Sequence, residues 1–209
     1  NLKPNLPKKT SNDFQPTMQS VNTDSIEQSI LNYIEQNLEK YSAEKISIAL
    51  SGGVDSTLVL SLIRKIKPDI DIQAISIKFA DSVDETNAAS KIAETFESDH
   101  HIVYLENYLS ELPKAISMIK MPFWDLHWYY VVKKSKSFSK ILVSGDGGDE
   151  LFGGYTFRYE KFLSLTSEKS TPLEKVIAYM ECHERDRVPD QEKIFNHNSN
   201  FSWKSIHNL

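Results

Sequence analysis

Two short stretches gather the residues best suited to phosphate and cation chemistry. Ser51-Gly52-Gly53-Val54-Asp55-Ser56-Thr57 supplies small hydroxyls, bare backbone amides and a carboxylate. Ser144-Gly145-Asp146-Gly147-Gly148-Asp149-Glu150-Leu151-Phe152-Gly153-Gly154-Tyr155 sets three carboxylates among five glycines. All seven glycines of the 209 residues fall in these two stretches. Glycine is needed where the backbone takes positive φ or comes within contact distance of a ligand, so the distribution marks two ligand-facing loops. Amides at a helix start, with hydroxyls beside them, suit a phosphate or pyrophosphate. Clustered carboxylates repel one another unless a cation or cationic ligand lies between them. Neither a phosphate loop ending in Gly-Lys-Ser/Thr nor Gly-x-Gly-x-x-Gly occurs, which argues against γ-phosphoryl transfer and dinucleotide binding.

The elements that must position these loops read as alternating strands and helices. From Asp24 as N-cap, with Glu27 three residues on, Ile26, Ile30, Leu31, Ile34 and Leu38 recur at helical spacing. Lys45 to Leu50 reads as a buried strand running straight into the first glycine loop, with a helix beyond it to about Lys67, ended by Pro68. Further strands are expected at Gln73 to Phe79, His101 to Leu105 and Lys140 to Val143. Helices are expected from Asp84 to about Ser98, near Leu109 to Lys120 and from Leu126 to Ser137. This order implies an α/β fold, a doubly wound, mostly parallel sheet with helices on both faces. Ligands of such sheets sit at the carboxyl ends of the strands. After Tyr155 the chain reads as helical, with Thr171-Pro172-Leu173-Glu174 a capping box. The expected organisation is a tail over 1–22, a domain carrying both glycine stretches over 23–165 and a helical to irregular extension over 166–209.

Ser-Gly-Gly-Val-Asp-Ser resembles the signature of the PP-loop ATP pyrophosphatases, and the second stretch resembles the corresponding motif of the asparagine synthetases and their relatives. The resemblance implies ATP and Mg²⁺ as cofactors, with ATP cleaved to AMP and pyrophosphate. It makes Ser51, Gly52, Gly53 and Ser56 phosphate contacts, and Leu50 and Ile77 the strand residues beside adenosine. Ser144 and Gly145 become further nucleotide contacts, and Asp55 and Asp149 the Mg²⁺ partners. Asp146, Glu150 and Tyr155 would face the amino-acid substrate as catalytic residues; Asp146 stands where many members carry Glu. Lys78 stands where a small Gly is common, and Met121 replaces a Glu that usually precedes Pro. The activity implied is adenylation of the aspartate side chain, then displacement of AMP by ammonia. A relative acting on another carboxylate and a non-catalytic nucleotide-binding module are the alternatives. Glutamine-using members carry an amino-terminal glutaminase with a nucleophilic Cys and a later catalytic Lys. Neither can be assigned here, so a glutaminase domain outside this chain is expected.

Composition sets the outer limits. The net charge of -5 and pI near 5.7 give no general pull towards nucleic acid. No apolar run of ~18 residues is present to span a bilayer. Cys182, the single cysteine, excludes an internal disulfide and fits a reducing cytoplasm. It is not read as a nucleophile with His183, because neighbours on a helix diverge by about 100°. His100 and His101 are read as structural, since adjacent strand residues point to opposite faces. The aromatic run through Phe123, Trp124, Trp128, Tyr129 and Tyr130 is read as packing rather than a base-stacking platform. A homo-oligomer is compatible with all of this.

Overall fold

The computed structural model describes residues 22–80, 84–120 and 126–183. The chain divides at Ser144 and Gly145 into two compact units. The first unit holds the sheet. Its strands are β1 (Lys45–Ala49), β2 (Asp71–Phe79), β3 (Asp99–Leu105) and β4 (Leu142–Val143), and its helices are α1 (Thr23–Lys40), α2 (Val54–Ile66), α3 (Thr86–Thr95), α4 (Leu112–Ile119) and α5 (His127–Ser135). The strand order is β3-β2-β1-β4 and every pairing is parallel. The chain steps outward from β1 to β2 to β3 and then returns to the other side of β1, so the order reverses between β1 and β4. At such a reversal the connections leave in opposite directions and open a crevice at the carboxyl ends of the strands.

Alternation along the strands explains the two layers of helices. Ile46, Ile48, Ile72 and Ala74 face one side, where they are buried with Leu60 and Ile63 of α2, Ala89 and Ala93 of α3, and Leu38 of α1. On the other side Ala115 of α4 and Tyr130 of α5 pack with Leu126, Ile77 and Leu105. Both faces of the sheet are thus covered, as the α/β reading requires. Arg64, in the last turn of α2, ties the sheet's opposite rim: Nε donates to the Phe96 carbonyl (2.9 Å), one terminal nitrogen to the carbonyls of Pro68 and Ile70 (2.5 and 3.0 Å), and the other to that of Glu97 (3.0 Å). Among the described residues no helix is long and apolar enough to cross a membrane.

The structure moves several expected boundaries. α1 begins two residues early, because Asn22 and not Asp24 is the N-cap; its side chain accepts from the Asp24 amide at 2.9 Å. Asp24 sits instead in the first turn, where its charge favours the helix dipole. β4 is shorter than Lys140 to Val143, since the Ile141 amide is taken by the Ser139 hydroxyl (3.0 Å). α3 begins at Thr86, with the Asp84 carboxylate accepting from the Thr86 amide (3.0 Å) and hydroxyl (2.5 Å). These bonds, the hydroxyl's first, hold the Asp84 carboxyl below its usual range.

The second unit contains α6 (Gly148–Phe152), α7 (Thr156–Leu165) and α8 (Pro172–Cys182). The capping box opens α8 as the sequence predicts: the Glu174 amide donates to the Thr171 hydroxyl (3.3 Å) and the Thr171 amide to the Glu174 carboxylate (2.7 Å). Cys182 is buried and its thiol donates to the Ala178 carbonyl (3.2 Å). Residues 1–21 of the expected tail, the Met121 to Asp125 segment and the pattern beyond Arg185 lie outside the described residues, while Asn22, expected in the tail, caps α1.

Candidate functional site

The first loop forms where β1 runs into α2. Leu50 is 2% exposed, its amide donating to the Ile75 carbonyl (2.9 Å) and its carbonyl accepting the Ser76 hydroxyl (2.6 Å). These two bonds hold the chain to β2 beyond the last ladder pair, Ala49 with Ile75. The backbone then turns through Gly52 at φ +83°. A Cβ there would lie 3.2 Å from the Ala88 methyl and 3.3 Å from the Ala89 amide of α3, so Gly52 answers both conformation and close packing. Gly53 is the N-cap of α2 and offers no side chain to the helix amides. The hydroxyls close the loop from below: Thr57 donates to the Gly53 carbonyl (2.7 Å), Ser51 accepts from the Gly53 amide (3.2 Å), and Ser51 and Ser56 lie 3.3 Å apart. Asp55 stands half-buried in the first turn of α2. A helix start without a side-chain cap is an anion-receiving surface.

Ser144 follows β4 directly, and β4 lies beside β1 with Ile48 opposite Val143. Both glycine stretches therefore begin at the carboxyl ends of the two strands that flank the reversal in strand order. Ile77 lies further along β2, half-buried against the α4 and α5 cluster.

Within the second unit the glycine stretch is not a plain loop, as the sequence suggested, but contains α6. Gly147 (φ +93°) and Gly153 (φ +70°) are its N-cap and C-cap, both left-handed, which explains two of the five glycines by conformation. Gly145 accepts from the Gly148 amide (3.2 Å) and so starts the turn. Gly154 is explained by proximity, since a Cβ would sit 2.8 Å from Cγ and 3.1 Å from Cα of Asp149. Asp149 is half-buried over that glycine, whereas Asp146 and Glu150 are exposed. The Tyr155 hydroxyl donates to Glu150 at 2.5 Å. That bond is the main cause holding the Glu150 carboxyl below its ordinary range and the Tyr155 phenol above its own. Arg158 lies over the Tyr155 ring, its guanidinium carbon 4.6 Å from the centroid. It is the first cation in the chain after the three carboxylates.

His100 and His101 point to opposite faces of β3. His100 is held between Ser76 (2.7 Å) and Ser90 (2.8 Å); His101 contacts Gln73 (2.7 Å) and stacks on Phe138, centroids 4.2 Å apart. Burial is the first cause lowering both imidazoles from their usual range.

The asparagine synthase family model matches residues 38–203. The chain belongs to the asparagine synthase family, a group of ATP-dependent amide-forming ligases. It is 28% identical over 155 residues to asparagine synthetase [glutamine-hydrolyzing] 1 of Bacillus subtilis, covering 71% of this chain and 24% of that protein. It is 36% identical over 111 residues to a putative asparagine synthetase [glutamine-hydrolyzing] 2 of Methanocaldococcus jannaschii, covering 51% and 22%. The chain thus spans about a quarter of the length of these curated relatives. Among solved structures, a glutamine-dependent NAD⁺ synthetase from Acinetobacter baumannii in complex with ADP aligns with TM-score 0.50 and 17% identity, over 67% of this chain and 29% of that one. This likeness shows a shared fold.

Proposed function

We propose that the chain is the nucleotide-handling part of an AMP-forming amide ligase acting on aspartate and ammonia. The observation that carries the reading is the origin of both glycine stretches at the carboxyl ends of β1 and β4, beside the reversal in strand order. Ser51, Gly52, Gly53 and Ser56 would receive the β- and γ-phosphates, with Leu50 and Ile77 beside adenosine and Ser144 and Gly145 on the nucleotide. Asp55 and Asp149 would hold Mg²⁺. Among the described residues no three His, Cys, Asp or Glu side chains gather into a metal-holding group. A pair of carboxylates fits Mg²⁺, which is commonly held by one or two carboxylates together with substrate phosphates. When bound, Mg²⁺ would supply charge neutralisation on the departing pyrophosphate.

A carboxylate is a poor electrophile, which is why the nucleotide is needed. A side-chain carboxylate oxygen of aspartate attacks the α-phosphorus, the bond to the β-phosphate breaks, and pyrophosphate leaves. Ammonia then attacks the acyl carbon, the bond to AMP breaks, and the nitrogen loses a proton to a base. Asp146, Glu150 and Tyr155 would face this substrate, with Asp146 exposed beside the left-handed Gly147 that follows it. The Glu150 carboxylate, fixed by Tyr155, offers a directed acceptor for the substrate's ammonium group. Incubation with ATP, Mg²⁺, aspartate and ammonia, followed by chromatography of the nucleotides, should yield AMP and pyrophosphate in equal amounts. Accumulation of ADP would refute the reading.

A further inference from the structure

The chain of hydrogen bonds behind the first loop ends on a histidine. Ser76 donates its single hydroxyl proton to the Leu50 carbonyl (2.6 Å), because a carbonyl can only accept. The same oxygen lies 2.7 Å from Nε2 of His100, so it must accept there, and Nε2 must carry a hydrogen. On the far side Nδ1 lies 2.8 Å from the Ser90 hydroxyl, which donates to it when the ring is neutral. Burial favours the neutral ring. One tautomer therefore runs from Ser90 on α3, through His100 on β3 and Ser76 on β2, to the residue before Ser51.

Leu50 is where β1 ceases to pair and the backbone begins the turn that ends at Gly53. Its carbonyl direction sets the plane of the Leu50–Ser51 peptide, and hence the direction of the Ser51 amide, which donates weakly to the Ser56 hydroxyl (3.4 Å) and would turn to a phosphate. We propose that His100 is a positioning residue of the nucleotide loop: by donating from Nε2 to Ser76 it fixes the Leu50 carbonyl and so aims the amides that receive phosphate. The inference rests on the nucleotide-binding reading of that loop.

Two substitutions at one position separate positioning from packing. His100→Gln keeps a donor near the place of Nε2 and loses the bond to Ser90; His100→Asn keeps a group near Nδ1 and loses the bond to Ser76. Each variant loses one hydrogen bond, so unfolding midpoints should fall by similar amounts. Calorimetric titration with Mg·ATP should nonetheless divide them. Loss of one hydrogen bond's worth of preorganisation predicts about tenfold weaker binding for His100→Asn and Ser76→Ala, with His100→Gln within about twofold of wild type. Equal ATP affinity in the Asn and Gln variants would overturn the proposal. So would ¹⁵N NMR of the unliganded protein finding the His100 hydrogen on Nδ1, a result that needs no variant to fold and no nucleotide to bind. Wild type that binds no Mg·ATP would refute the nucleotide reading itself, a distinct failure from wild type that binds and variants that do not differ.

Discussion

A methyl group placed on Gly52 strikes the nucleotide loop at its most constrained point. The residue sits at φ +83°, where a side chain of L configuration costs about 1–2 kcal/mol. The added carbon would meet the Ala88 methyl at 3.2 Å, the Ala89 amide at 3.3 Å and the Glu85 carbonyl at 3.4 Å. Two of those three are backbone of α3 and cannot rotate aside, so crowding of the kind seen in overpacked cores adds about 1–3 kcal/mol. Stiffening of the unfolded chain returns about 0.4–1 kcal/mol. Gly52→Ala should therefore destabilise the first unit by about 2–4 kcal/mol, given those opposing terms. With a urea slope of about 1–3 kcal/mol per molar, the midpoint should fall by about 1–2 M. Gly53→Ala is the internal control: its φ is -77°, and an added Cβ meets only the Ser51 hydroxyl, at 3.2 Å. The control should cost no more than about 1 kcal/mol, the difference between glycine and alanine at an N-cap. Urea unfolding followed by circular dichroism reads both. If Gly52→Ala proved no more destabilising than Gly53→Ala, neither the left-handed turn nor the contact with α3 would constrain the loop.

Acidification should destabilise the fold before carboxylates titrate. His100 and His101 have imidazole pKa values lowered in the folded state, so below the ordinary range near 6.5 the unfolded chain binds protons that the folded chain refuses. Their contribution is full above that range and is lost as pH falls through the folded values. Thermal midpoints at pH 7.5 and 5.5 should differ, and His100→Gln with His101→Gln should flatten the difference; an unchanged slope would refute it. Arg64→Met should cost about 2 kcal/mol through four carbonyls losing a charged donor. Arg64→Lys should recover less than half of that loss, since one ammonium cannot reach four diverging oxygens; full recovery in thermal melts would count against the clamp. Asp55→Asn should weaken ATP about tenfold with Mg²⁺ present and leave metal-free ATP binding within about twofold. Calorimetry showing equal loss under both conditions would remove Asp55 from the metal.

What could be read from sequence was whatever depends on near neighbours. β1 and its loop are contiguous, and the Thr171 capping box spans only three residues, so both were legible. The start of α1 was misplaced because Asn22 and Asp24 are comparable caps, and local propensity does not choose between them. α6 was missed because five residues are too few to show a helical period. Its glycine caps read equally well as loop. The Ser90, His100, Ser76 and Leu50 relay joins residues 10, 24 and 26 apart in the chain, and the two longer links are brought together only by the alignment of neighbouring strands. Arg158 over Tyr155 is three residues away, yet ring stacking at a helix start leaves no periodic signature. The fold followed from alternation and glycine placement; the side-chain network behind the loop required the register.

The brevity of β4 has a kinetic consequence. Its anchor on β1 is two ladder pairs, supported by Ser139 bonding the Lys45 carbonyl across 94 residues, whereas the Ser76 clasp on Leu50 spans 26. Closing the longer loop costs about 1 kcal/mol more entropy and earns fewer contacts, so β4 should dock last and undock first. The Ser47 amide is bonded to the Ile141 carbonyl, and the Leu50 amide, three residues on, to the Ile75 carbonyl. Hydrogen exchange should therefore run faster at Ser47 than at Leu50 on the same strand, as a sub-global opening of one rim. A nucleotide touching both Ser51 and Ser144 would act as a latch across that opening, and its binding would appear first as slowed exchange at Ser47.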